Sequence, residues 1–430
     1  MKMTDAKKQT VTMTFVNGIV RVLGFVMRIW TSRTLGAEMV GIMELAQNVH
    51  MLAITPLTSG LPVAISRLTA KVPSRSKERF LQAGLSLVRT FSWIFIPFFF
   101  ISSPVIARLM GDVRVLPSLW FSAPCILILG YSAVLNGYCY GTNQPIIPAA
   151  SELIEQTIRV LLTVFLIYSL KGLSFSWKAA IPTAATGIAE LAGLYYVLWQ
   201  VGAKNRKGWP LKADRMTVYK LSVPVTLARL IHTFFRSVTG MLIPLRLQAS
   251  GLSLTASTIL LGQLNGMVSP VLLLPGIFTN ALAMMSIPRM AKAEDNPAEL
   301  KRLIVLNMSV AIPVTSVCAG AVYLFAPFLS TSIFRHPEIS FLFRMCAPQM
   351  ILISVNHILA NTLSALGQQR SSINTALAAS AVTLFLVWRL ACIPHLRIQG
   401  VICAQYANLA ISMLLNMLSL RKWRKQHQSL

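Results

Sequence analysis

Negative charge is what this sequence has least of. Its 430 residues carry 13 Asp and Glu against 39 Lys and Arg, a formal net charge of +26. Charge of either sign makes up only 12% of the chain, about half of what an ordinary soluble domain carries. Cysteine is also scarce. Cys125, Cys139, Cys318, Cys346, Cys392 and Cys403 lie in or beside apolar runs, with no Cys-x-x-Cys pair and no zinc spacing. That excludes a disulfide framework and a zinc module, and leaves small buried hydrophobes. No His-Glu-x-x-His, P-loop or Gly-x-Ser-x-Gly occurs, so no catalytic residue, metal or resident cofactor is assigned and an enzyme is not expected. Gly111-Asp112-Val113-Arg114 is an ordinary loop turn. The start, Met1 to Lys8, is short and polar, and no small-residue cleavage site follows the first apolar run. A cleavable signal peptide is therefore not expected.

What is present is apolar. Hydrophobic residues make up 55% of the chain and mean hydropathy is +0.63. Uncharged runs long enough to cross a bilayer recur throughout, so the expected fold is an all-α polytopic membrane protein. Twelve spans are predicted, at 10–32, 40–66, 80–110, 116–140, 146–170, 178–201, 219–245, 256–288, 303–330, 341–366, 372–393 and 399–420. Prolines inside them, among them Pro56, Pro124, Pro224 and Pro348, mark expected kinks.

Basic residues collect in alternate connections. Lys2, Lys7 and Lys8 precede the first span; Arg67, Lys71, Arg75, Lys77 and Arg79 follow the second. Lys204, Arg206, Lys207, Lys212 and Arg215 follow the sixth, Arg289, Lys292, Lys301 and Arg302 the eighth, and Arg421, Lys422, Arg424 and Lys425 the last. This alternation orients the protein with both termini in the cytoplasm. The positive charge thus has an explanation other than nucleic acid, which is not an expected partner; membrane lipids are. The longest polar connection, 202–218, divides the chain into a lobe at 1–201 and a lobe at 219–430.

The first span carries two arginines. Thr14, Asn17, Arg21, Gly24, Arg28 and Thr31 recur at spacings of three and four, so they share one helical face. Arg21 and Arg28 are two turns apart, about 10.5 Å. A shift of 208 residues puts Arg229 on Arg21, Arg236 on Arg28, His232 on Gly24, Ser222 on Thr14 and Thr239 on Thr31. Further on, Gln47 falls on Gln263, Arg67 on Arg289, and Ala123-Pro124 on Ala347-Pro348. The slowly drifting shift is that of a duplicated six-helix unit. Both copies start on the same side, so they are parallel repeats, with a substrate site expected between them. An arginine at mid-bilayer costs about 2.5 to 3.5 kcal/mol; four of them are expected to face a wet cavity or a negative ligand.

The stretch Arg21-Val22-Leu23-Gly24-Phe25-Val26-Met27-Arg28, with Leu35-Gly36-Ala37-Glu38-Met39-Val40-Gly41, resembles the opening of the stage V sporulation protein B-like, polysaccharide-transporter (oligosaccharide flippase) family. So does Gly137-Tyr138-Cys139-Tyr140-Gly141, continued by Pro148 to Val160. That family is a branch of the multidrug/oligosaccharidyl-lipid/polysaccharide exporter superfamily, and the resemblance covers nearly the whole chain. It implies two six-helix lobes in a V, alternating access, and a cationic cavity for the pyrophosphate of a polyprenyl-linked saccharide. Many members carry one further pair of helices that guides the lipid tail; only twelve spans are predicted here.

The candidate substrate-binding residues are Arg21, Arg28, Arg229, Arg236, His232 and Asn17. Guanidinium binds phosphate oxygens in pairs and keeps its charge in a dry site. The plain alternatives are that Arg28 snorkels to the headgroups and that His232 is satisfied by a neighbouring helix. Glu155 and Arg159, four apart with the acid first, read as a structural helical ion pair; a gate or a coupling-cation site (Na+ or H+) is the functional alternative. Glu44 either closes an outer gate against an arginine or reaches the outer interface. Glu190, Arg89, Arg344 and Arg389 also lie within spans, without an assigned partner.

The reading is a flippase, expected to be monomeric, in the bacterial inner membrane, carrying lipid II or a capsule or spore-coat precursor. The alternative is a multidrug exporter of the same superfamily, although exporters of organic cations call for acids where this stripe is basic. A glycan polymerase calls for a large outer loop, and the outer connections here are a few residues long. A scaffold has no reason to keep four intramembrane arginines.

Overall fold

The computed structural model describes residues 3–202, 211–294 and 296–428. Lys2, Lys204, Arg206 and Lys207 and most of the predicted linker lie outside the described residues. Among those described there is no strand. The α-helices run, in order, α1 Met3–Thr58, α2 Gly60–Lys71, α3 Ser74–Leu109, α4 Leu116–Gly141, α5 Ile146–Ser169, α6 Phe175–Gln200 and α7 Lys212–Ala249. They continue as α8 Leu254–Leu261, α9 Ser269–Leu272, α10 Gly276–Lys292, α11 Pro297–Leu324, α12 Ala326–Phe328, α13 Ser340–Cys346, α14 Gln349–Ala365, α15 Gln369–Leu390 and α16 Ile398–Gln428.

Among the described residues, seven helices are long and apolar enough to cross a membrane, eight if Pro337–Cys346 and Gln349–Ala365, bent by 43°, form one passage. The remaining predicted spans miss that test for visible reasons. The first two are merged in one run, Phe15–Lys71, which turns at Gly36 with φ 80° and ψ 167°. That backbone region is essentially closed to a residue with a Cβ. α5 holds Glu152, Glu155 and Arg159, and α7 holds Arg229 and Arg236 with further bases at both ends. The eighth span is split into α8, a π-helical stretch Gly262–Val268, α9 and α10. Counted this way, the described helices supply the twelve passages that the sequence predicts.

The chain packs as two compact units, Met1–Trp30 with Ile42–Ser237, and Thr31–Gly41 with Val238–Leu430. The first unit therefore takes in the N-terminal part of α7, and the second takes in the turn around Gly36. The crossing points, after Trp30 and after Ser237, lie one residue off the 208-residue repeat.

The internal packing repeats. In the first unit α4 packs on α2, α3 and α6, and α5 packs on α6. In the second unit α14 packs on α10, α11 and α16, and α15 packs on α16. These are corresponding members of two six-helix copies, each organised around its fourth span. The copies differ at the shared Ala-Pro: α4 runs through Pro124 unbroken, whereas helix stops at Cys346 and restarts after Pro348.

The approach of α4 to α2 depends on Gly137 and Gly141. A Cβ at Gly137 would strike the backbone of Pro62, and one at Gly141 would strike Thr69 and Ser66. Four residues apart, they form a small-residue seam of the kind that lets membrane helices close up. Hydroxyls along α1, α2 and the junction between them bond back to the preceding turn: Thr55 Oγ1 to Met51 O at 2.6 Å, Ser59 Oγ to Thr55 O at 2.7 Å, Thr69 Oγ1 to Ile65 O at 2.7 Å. That removes donors which lipid could not satisfy.

Candidate functional site

Asn17, Arg21 and Arg28 on α1 and Arg229, His232 and Arg236 on α7 are all exposed. Spacings of four and seven hold the first three on one face, and of three and four the second three. All six belong to the first unit. α7 is anchored there by Thr55 Oγ1, 3.4 Å from Thr233 Oγ1, and by Gly60, whose missing side chain leaves room for Ser222 O and Thr226. Arg79 and Asp214 tie its first turn down, with Nε to Oδ2 at 3.1 Å and Nη2 to Oδ1 at 3.3 Å. The repeated stripes are thus carried by one folded body.

Their guanidiniums have different surroundings. Arg28 Nη1 donates to Glu44 Oε1 at 2.9 Å. The two reach each other because the turn at Gly36 brings the second half of α1 back alongside the first. Among the described residues no carboxylate lies within 4 Å of Arg21, Arg229 or Arg236. Three arginines with open donor forks are suited to an anion with several oxygens.

The second cluster lies on α4, α5 and α6, and here the structure corrects the sequence reading. Glu155 and Arg159 do not pair with each other. Arg159 Nη2 reaches across to Glu190 Oε1 on α6 at 3.1 Å, and its Nη1 to Gln156 Oε1 at 3.3 Å. Glu155 Oε1 accepts from Ser151 Oγ at 2.6 Å, one turn earlier. Glu190, left without a partner by the sequence, is the partner of Arg159. An i, i+4 spacing permits an ion pair but does not compel one. Gly193 on α6 leaves the space that the Glu155 carboxylate fills. A cavity of about 240 Å3 opens beside this cluster, lined among others by Ser132, Asn136, Glu152, Glu155 and Glu190. Among the described residues no three His, Cys, Asp or Glu lie close enough together to hold a metal ion.

The second unit contributes an unpredicted cluster. Glu338 Oε1 accepts from Gln263 Nε2 at 3.1 Å and lies 3.0 Å from His336 Nδ1. Gln263 sits in the π-helical stretch. The repeat relation with Gln47 marked Gln263, but nothing in the sequence marked its partner.

Long apolar helices, a duplicated six-helix arrangement and a basic stripe on α1 and α7 define a multi-pass membrane protein. The family described as "Polysaccharide biosynthesis protein" matches residues 6–294. The chain belongs to that family. It is 27% identical over 440 aligned residues to stage V sporulation protein B of Bacillus subtilis (strain 168), covering 96% of this chain and 83% of that one. It is 24% identical over 217 residues to the lipid II flippase MurJ of the same organism, covering 46% of this chain and 39% of the other. Among solved structures, the lipid II flippase MurJ in an inward closed conformation aligns with a TM-score of 0.78 at 13% identity, over 96% of this chain and 87% of that one. An inward-facing multidrug resistance MATE family transporter aligns with a TM-score of 0.71 at 15% identity, over 96% and 98%. At these identities the structural matches speak for the fold alone.

Proposed function

We propose that this protein is a flippase that moves a polyprenyl-pyrophosphate-linked saccharide across the bacterial plasma membrane by alternating access, with both termini in the cytoplasm. The observation that carries the reading is the repeated arginine stripe: Arg21, Arg229 and Arg236 exposed on spanning helices of one unit, with no carboxylate within reach among the described residues. Such side chains are costly in hydrocarbon and are matched by a pyrophosphate. The relative named as a lipid II flippase points to the same substrate class. Arg28, held by Glu44, is released to the ligand when that pair opens. The protein acts as a monomer and a transporter rather than an enzyme: it moves its substrate without making or breaking a covalent bond.

The test is binding and flipping in reconstituted vesicles. A charge-assisted hydrogen bond is worth about 1.5 to 3 kcal/mol, so Arg21→Ala or Arg229→Ala weakens polyprenyl-pyrophosphate binding at least tenfold while insertion stays normal. Lysine at either position rescues only in part, because it keeps the charge and loses the fork. Unchanged binding in both alanine variants refutes the reading. Dye export that survives or improves in them establishes the multidrug alternative, with which the MATE-like fold is compatible.

A further inference from the structure

One end of the second unit carries positive charge that the chain does not answer. No Asp or Glu occurs from Arg215 to Ala293, or from Ile339 to Leu430, so α8, α9, α10 and α13 to α16 hold no acid. Basic residues of these stretches in the alternate connections, such as Arg289, Arg370 and Arg421, are explained by orientation. Arg246 and Arg389 are not. They stand in the last turns of α7 and α15, at the ends away from those connections. The turn between α15 and α16 adds His395 and Arg397, both exposed.

The two arginines converge on one side chain. The Arg246 guanidinium lies 5.4 Å from the centre of the Trp388 ring, and that of Arg389 lies 5.1 Å from it. Arg246 Nε also donates to Trp388 O at 2.8 Å, one of the carbonyls that the end of α15 leaves without a helical partner. That uses one N–H of Arg246 and leaves its Nη groups. Among the described residues no carboxylate lies within 4 Å of Arg246, Arg389 or Arg397. The indole face offsets part of the repulsion between two cations; an anion with several oxygens offsets the rest. Snorkelling accounts for one arginine at an interface, not for two drawn onto one ring in a sector without acids.

A second observation, independent of the charge, says what the anion is attached to. Ala378, Val382, Phe385 and Trp388 are exposed at spacings of four and three, so they form one stripe along α15. It runs for about 15 Å, roughly the depth of one leaflet of the hydrocarbon core, and stops at Arg389. An apolar stripe one leaflet long with two guanidiniums at its end has the shape of a phospholipid: a chain along the stripe, a phosphate at the arginines. A zwitterionic headgroup brings its own cation to the site, so two arginines favour a lipid of net negative charge.

We propose that the ends of α7 and α15 bind one anionic phospholipid, of the phosphatidylglycerol kind, with its phosphate on Arg246 and Arg389 and an acyl chain along Val382, Phe385 and Trp388. On the topology proposed above, this lipid belongs to the outer leaflet. It is a resident of the second unit and not cargo.

The experiment uses the purified full-length protein, stripped of lipid in a neutral detergent. Short-chain phosphatidylglycerol is titrated in, and bound lipid is counted per chain by native mass spectrometry. Phosphatidylcholine with the same chains and inorganic phosphate are run alongside. The expected result is one phosphatidylglycerol per chain, held at least tenfold more tightly than phosphatidylcholine and weakened at least tenfold in Arg246→Gln and in Arg389→Gln. Arg344→Gln removes the same charge from an arginine packed on a single ring, that of Tyr323 at 5.9 Å, and leaves binding unchanged. Should Arg246→Gln fail to fold because Trp388 O loses its donor, Arg389→Gln decides alone. No bound phosphatidylglycerol, equal affinity for the two lipids, or an equal loss in Arg344→Gln overturns the site. Displacement by inorganic phosphate at equal concentration also overturns it, since that marks an ion site without an acyl chain. Arg21→Ala, which removes part of the pyrophosphate grip, keeps the phospholipid, so this site stands or falls separately from the flippase reading.

Discussion

Arg159 illustrates how one side chain in a membrane domain answers for several others. It bonds Glu190 and Gln156 at once, and Glu190 is buried at 7% exposure. Removing the base leaves a carboxylate with no counter-charge, and breaking a buried pair costs up to about 3 to 5 kcal/mol. The cost is smaller here because Arg159 keeps contact with water. Arg159→Ala therefore lowers the thermal midpoint in detergent, and adding Glu190→Gln to the same chain restores part of it. Glu155→Gln has a smaller effect on stability, because its partner is the neutral Ser151. A midpoint unchanged by Arg159→Ala, or a larger drop for Glu155→Gln, would return the pairing to the helical i, i+4 geometry.

At the scale of the element, two glycine features set the geometry. Gly36 turns α1 with a positive φ, and this turn brings Glu44 to Arg28. A residue with a side chain there costs about 1 to 3 kcal/mol. Gly36→Ala lowers the thermal midpoint by several degrees and increases Arg28 accessibility to an arginine-modifying reagent; an unchanged midpoint refutes the turn. The seam Gly137–Gly141 acts by closeness, not by dihedral angle. Gly141→Leu drives α4 off α2 and reduces folded protein in the membrane several-fold. Leucine at Gly172, where a side chain meets nothing within 4 Å, does not. Equal yields for the two would remove the seam from the account.

For the whole molecule the testable quantity is sidedness. In a chain freed of its six cysteines, single cysteines at the exposed positions Lys71 and Asn143 are protected from a membrane-impermeant thiol reagent in intact cells. Those at Lys171 and Glu338, also exposed, are labelled. Labelling at Asn143 would invert the order of α4 and α5. Ala37, beside the turn at Gly36, is an unsuitable reporter because the structure buries it at 5% exposure, against Gly262 in the π-helical stretch.

By itself the sequence determined the class, the number of passages, the duplication and the arginine stripes. Each rests on local periodicity or on spacing along one chain: uncharged runs for the spans, a 208-residue shift for the repeat. Tertiary structure decided who meets whom. Arg28 finds Glu44 only because the chain reverses at Gly36. Arg159 pairs with Glu190 and not with Glu155, whose carboxylate is held by Ser151 in the space beside Gly193 of α6. Glycines that read as part of a family motif prove to be the contact between α4 and α2. The division at 202–218 was read from polarity alone, whereas packing keeps α7 as far as Ser237 with the first unit. Hydropathy and charge are properties of single residues and can be summed along a chain. Ion pairs and cavities depend on distances between helices remote in sequence, which no local pattern encodes.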